Sequence, residues 1–139
     1  MTRKEFDQEL QDLEKKLQEL GLMVEKALVE AVDALKRLDL EKAAQIIDAD
    51  HSVNERRYAI EHETFVVIAT QQPMAVDLRT LAAVLEIAIE LERIGDYAKG
   101  IAKIAIKMGT ETFVKPLIDI PRMAEKARSM LHRALEAFL

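Results

Sequence analysis

The chain has 139 residues and a formal net charge of −5, half of its residues are apolar, and it has no cysteine. That is enough for one domain with a real core. Disulfides and thiolate metal sites are excluded, nothing gives a footprint for nucleic acid, and no run of about 18 apolar residues exists to span a membrane.

Only 4 Gly and 3 Pro interrupt a sequence rich in Ala, Leu, Glu and Lys, which reads as nearly all helix. The N-terminal run MTRKEFDQEL is charged from the start and carries no signal peptide, so a soluble, cytoplasmic protein is expected. Phe6, Leu10, Leu13, Leu17, Leu20, Val24, Ala27, Ala31, Ala34 and Leu38 alternate steps of four and three. That is an unbroken heptad seam, and it needs partner helices. Thr2 is the expected N-cap, with Glu5 placed for a capping box.

A second helix begins near Asp39 and runs to Pro73, which ends it. The acidic residues between Asp48 and His51 interrupt its apolar pattern and allow a kink there. The third helix is expected over 74–108, with Pro73 at its start and Gly109 past its end. Val84, Ile87, Ala88, Leu91, Ile94, Gly95, Ala98, Ala102 and Ala105 share one arc. Leu78, Leu85 and Ile89 lie outside that arc, which predicts contact with more than two neighbours. A loop then leads to a last helix near 121–139. There Met123, Glu125, Lys126, Ala127, Ala134 and Leu135 repeat Met23, Glu25, Lys26, Ala27, Ala34 and Leu35. The repetition suggests the start of a second repeat that is cut off.

The chemistry lies near the breaker Gln72-Pro73. Asp50 and Asn54 sit one helical turn apart, and so do Glu92 and Asp96. The two pairs are equidistant from the breaker. If 50–71 and 74–108 pack antiparallel, these oxygens meet at one height, and residues four apart share a face. Such a cluster suits a hard cation: Mg, Mn, Fe, Ca or Zn are the candidates. The plainer reading leaves Glu92 and Asp96 solvated, or paired with Lys99 and Lys103 one turn on. Arg56 and Arg57 read as solvated helix charges.

Asp77 lies in the first turn of its helix, where a negative charge favours the dipole. A functional reading makes Asp77 and Arg79 a polar contact for a partner. No Glu lies three residues before any His, which counts against a di-iron bundle. No nucleophile stands beside a His with an orienting acid, and there is no Gly-rich phosphate loop and no Gly-x-Ser-x-Gly. An enzyme is not expected.

Three runs, IIDADHSVNE (46–55), ATQQPMAVDLRTL (69–81) and ELERIGDYAKGIA (90–102), together resemble the PhoU family of phosphate-uptake regulators. The resemblance covers the whole chain. It implies three-helix repeats and metal-binding acidic motifs, which fall on Glu92 with Asp96 and on Asp50 with Asn54. Asn54 departs from the family's acid. The resemblance further implies a negative regulator of the phosphate-starvation response, acting with a phosphate ABC transporter and a sensor histidine kinase. The protein would meet the membrane only peripherally, through those partners.

The expected fold is therefore all-α: an antiparallel three-helix bundle over 1–109, a linker over 110–120, and over 121–139 the first helix of a truncated second repeat. A homodimer is expected, because the stripe Met123, Ala127, Met130, Leu131, Leu135 and Phe138 needs cover. That cover comes from a second chain or from the helix folding back. A metal-buffering bundle and a purely structural helical adaptor are the rival functions.

Overall fold

Helix α1 (Arg3–Arg37) opens on the expected capping box. In the computed structural model, which describes residues 2–139, the Glu5 amide donates to Thr2 Oγ1 at 3.2 Å and the Thr2 amide donates to Glu5 Oε2 at 2.7 Å. These bonds satisfy two of the amides that a helix start leaves open. Leu38 then turns the chain in the left-handed region, and the Asp39 carboxylate caps α2 (Leu40–Gln71) by accepting from the Lys42 amide.

Helix α2 is continuous through Asp48–His51. The acidic residues there do not interrupt packing. Asp48 is exposed, His51 pairs outward with Glu55, and only Asp50 turns inward. Gln72 and Ala75 carry positive φ on either side of Pro73, and α3 (Val76–Met108) follows, closed by Gly109 at φ 59.

The three helices pack against one another in every pairing. Polar pairs fix the register of α1 against α2: Gln71 with Glu9, Lys16 with Glu63, Arg56 with Glu19 and Lys42 with Glu30. These rungs run in opposite directions along the two helices, as an antiparallel pair requires. Arg3 joins Asp77, so the starts of α1 and α3 lie together.

The core has two parts. One is built from large side chains, among them Leu13, Leu17, Leu20, Ile60, Leu81 and Val84. The other is built mainly from small ones: Ala31, Ala34, Ala43, Ala98, Ala102 and Ala105. Phe113 and Leu117 of the following loop pack on this second part. The arc expected on α3 is buried or half-buried throughout, but Leu78 and Ile89 are exposed. The wide apolar surface of α3 therefore does not meet a third helix among the described residues; α3 packs on α1 and α2.

Helix α4 (Asp119–Phe138) starts two residues before Pro121, which sits in its first turn, where a missing amide costs nothing. It folds back along α1. Leu135 is buried over Gly21, where a side chain would collide with it. Arg128 bridges Glu25 of α1 and Glu125 of its own helix. Of the expected stripe only Leu135 is buried; Leu131 and Phe138 are half-buried, and Met123 and Met130 stay exposed. No helix is long and apolar enough to cross a membrane among the described residues.

Candidate functional site

Asp50, Asn54, Arg57 and Glu61 follow one another on α2 at steps of four, three and four. Such spacing lays them along one stripe of the helix. Opposite them, α3 supplies Glu92, Gly95, Asp96 and Lys99. The antiparallel register expected from the breaker holds. A Cβ at residue 95 would lie 3.5 Å from Asp50 Oδ1, and Asp96 follows it directly.

Asp50 is 5 % exposed. Its Oδ2 has no hydrogen-bond partner, and Lys99 Nζ stands 3.7 Å away. That is an ion pair but too long for a hydrogen bond. Burial pushes the Asp50 carboxyl above its ordinary range; Lys99 opposes this, and the charge of Asp96 adds to it. Glycine at 95 is what lets α3 come this close, since a Cβ there would also meet Val53 Cγ1 at 3.1 Å.

Glu92 faces Arg57, with Oε2 3.2 Å from Nε, and the same guanidinium reaches Glu61 at 3.4 Å. The Arg57 side chain is 17 % exposed. Reading it as a solvated charge is therefore corrected: it is the cation between two carboxylates of the α2–α3 seam. Asn54 is half-buried, with Oδ1 lacking a donor. Asp96 is exposed and reaches Asp50 only through space.

The four oxygen-bearing residues thus share one height without converging on one point. Lys99, expected one turn on from its own acids, crosses instead to Asp50. Among the described residues no group of three or more His, Asp or Glu is placed to hold a metal ion. The donor set as it stands does not fit one. Each of the two inward carboxylates already faces a basic group, and the remaining acid points to solvent. The register about the breaker sets Asp50 level with Asp96 and Asn54 level with Glu92, whereas the observed ion pairs join Asp50 to Lys99 and Glu92 to Arg57, each about one turn off that level.

Asp77 accepts from both terminal nitrogens of Arg3, at 2.5 and 3.2 Å. Its contact is therefore with the start of α1, beyond the helix-dipole role. Arg79 is exposed.

Comparison with known proteins agrees with this architecture. A family profile described as the PhoU domain matches residues 17–105. The phosphate-specific transport system accessory protein PhoU homolog of Clostridium acetobutylicum is 34 % identical across 100 % of this chain and 64 % of its own length. The corresponding Escherichia coli K12 protein, PhoU, is 32 % identical over 96 % of this chain and 56 % of its own. The crystal structure of PhoU from Pseudomonas aeruginosa superposes with a TM-score of 0.90 at 33 % identity, covering 96 % of this chain and 64 % of that one. The chain spans less than two thirds of the length of these relatives.

Proposed function

This chain belongs to the PhoU family, and from that membership we propose that it is a non-enzymatic regulator of phosphate signalling. It acts as a negative regulator of the phosphate-starvation response, from the cytoplasmic side, with a phosphate ABC transporter and a sensor histidine kinase. One observation carries this reading: nearly the whole chain aligns with proteins named for their accessory role in phosphate-specific transport. The bundle also offers apolar contact points for protein partners. Tyr58, Phe65 and Val66 on α2 and Leu78, Ile89 and Tyr97 on α3 are all exposed.

The test is capture of partners by the tagged chain from membrane extracts of phosphate-replete and phosphate-starved cells. Enrichment of transporter subunits or the kinase, changing with phosphate, is expected. Enrichment of neither, under both conditions, would remove the proposal and leave a structural adaptor.

A homodimer through the outer face of α4 is part of the same proposal. Met123 and Met130 are 61 % and 71 % exposed on that helix, and a two-fold contact would cover them. Light scattering should give twice the chain mass. A monomeric mass at high micromolar concentration counts against it.

A metal role stays a proposal that rests on the resemblance, because a divalent ion would first have to displace Lys99 from Asp50 or Arg57 from Glu92. If it does, Mn²⁺ should raise the melting temperature, Lys99→Met should enlarge that shift, and Glu92→Gln with Asp96→Asn should abolish it. An equal shift in all variants places binding elsewhere. Many ions per chain would favour a metal buffer.

A further inference from the structure

A cleft of about 310 Å³ opens between α1 and α2, with the edge of α3 at its back. Met23, Ala27, Ile46 and Val53 give it apolar walls, and Asp50 lies among its lining residues. Asp50 is the buried end: its side chain is 4 % exposed, and Lys99 Nζ, the basic group that faces it from α3, stands 3.7 Å from Oδ2, beyond hydrogen-bond distance. A buried acceptor without a donor is costly, and a ligand that supplies the donor gains what the protein lacks.

The mouth has the opposite sign. Lys26 and Lys42 both line the cleft and share a single carboxylate, Glu30, at 3.9 and 3.3 Å. Two cations to one anion leave a net positive rim, while the floor carries a carboxylate that its facing cation, Lys99, pairs with through space but does not hydrogen-bond. Lys42 precedes Asp50 by eight residues of α2, about 12 Å along the axis. The lysine side chain can cover part of that span.

We propose that this cleft binds a small zwitterion of the ω-amino acid class. Its ammonium group donates to Asp50, its anionic group meets Lys26 and Lys42, and the methylenes between them lie along Met23 and Ile46. The order of signs selects this class over its halves. A bare alkylamine gains the floor but must pass a positive mouth. A bare carboxylic acid gains the mouth but carries its tail to an unsatisfied carboxylate. Only a ligand with both charges, in this order, complements both ends, with apolar surface between them to match the walls.

The experiment titrates the folded chain with three probes of six carbons each, 6-aminohexanoic acid, hexylamine and hexanoic acid, followed by amide chemical shifts. The amino acid should bind with a dissociation constant of about 1 mM, as befits a ligand of few atoms. Each half-probe should bind at least about tenfold more weakly, a penalty consistent with one unmade charged hydrogen bond. Shifts should centre on Ala27, Ile46 and Val53. Asp50→Asn should reduce the amino acid to the affinity of hexanoic acid. Lys26→Ala with Lys42→Ala should reduce it to that of hexylamine. Both lysines are partly or largely exposed, so that pair keeps the test alive if the buried substitution unfolds the chain. Equal affinity of the three probes, binding unchanged by the rim variants, or no shifts at the cleft would each overturn the proposal.

Discussion

Asp50 Oδ2 and Lys99 Nζ face each other across the α2–α3 seam at 3.7 Å, with the Asp50 side chain buried and the Lys99 side chain about one-third exposed. The pair is unequal. Lys99 can turn to water, whereas Asp50 cannot. The cost of the buried charge therefore falls on Asp50, whose carboxyl is held above its ordinary value of 3.8 by burial, with Lys99 only partly offsetting this.

This gives a pH dependence of definite sign. Between 3.8 and the raised folded value, the folded chain holds a proton that the unfolded chain has lost. Stability therefore falls as pH rises through that window, and the penalty is fully present above it. Asp50→Asn keeps the shape and removes the charge. The variant should melt higher than the parent at neutral pH, and the gap should close as pH drops below the unfolded value. Thermal melts across the acid range check this. A variant that melts lower at neutral pH means that the ion pair outweighs desolvation.

Two glycines of α3 should respond in opposite directions. At Gly95 an added methyl would sit 3.1 Å from Val53 Cγ1 and 3.7 Å from Val24 Cγ2. Both neighbours are stiff β-branched residues, so crowding outweighs the helix-propensity gain, and Gly95→Ala should cost about 1 kcal/mol net. At Gly100 nothing lies within 4 Å of the new atom. Gly100→Ala should stabilise by about 0.5–1 kcal/mol. Urea denaturation of the two variants measures the contrast.

Arg57 separates Glu61 from Glu92, and the Arg57 and Glu92 side chains are 17 % and 20 % exposed. Removing the cation leaves two carboxylates facing each other in a half-dry seam. Arg57→Met should cost about 2 kcal/mol, below the range for a fully buried pair. Adding Glu92→Gln should recover part of that loss, because the partners are coupled. Additive losses in the double variant would show that the guanidinium acts by packing alone.

Leu135 seats α4 over Gly21. Leu135→Ala should loosen α4 while leaving the three-helix bundle intact. A buried Leu→Ala change costs about 2 kcal/mol or more, so amide exchange over 119–138 should speed at least about tenfold. Exchange in the middle of α2 should not change. Hydrogen-exchange mass spectrometry distinguishes local release from global unfolding.

Most of the fold was legible because long helices repeat their signal. The heptad seam of α1, the capping box at Thr2 and Glu5, and Gly109 after α3 fixed three helices within a few residues. Asp39 and Pro73 placed the two turns but not their backbone conformation, because Leu38, Gln72 and Ala75 adopt positive φ where Gly or Asn would have announced it. The inward turn of Asp50 was not legible, because an acidic residue at an inward position reads as an interruption of the apolar pattern unless its partner is known. The candidate site was half legible. Its register followed from symmetry about Pro73, but the pairing of Asp50 with Lys99 and of Glu92 with Arg57 depends on side-chain reach across two helices, which a one-dimensional pattern does not carry.

The Ala-rich half of the core makes the bundle asymmetric in its resistance to opening. A buried alanine removes far less apolar area from water than a buried leucine, so each contact there contributes less to holding the helices together. The half built on Ala31, Ala34, Ala43, Ala98, Ala102 and Ala105 should open first, like the loose end of a zip. Phe113 and Leu117 act there as a stopper, and both belong to the loop that leads to α4. A pull on α4 is therefore transmitted to the weakest end of the bundle, which makes the last helix a handle on the breathing of the first three.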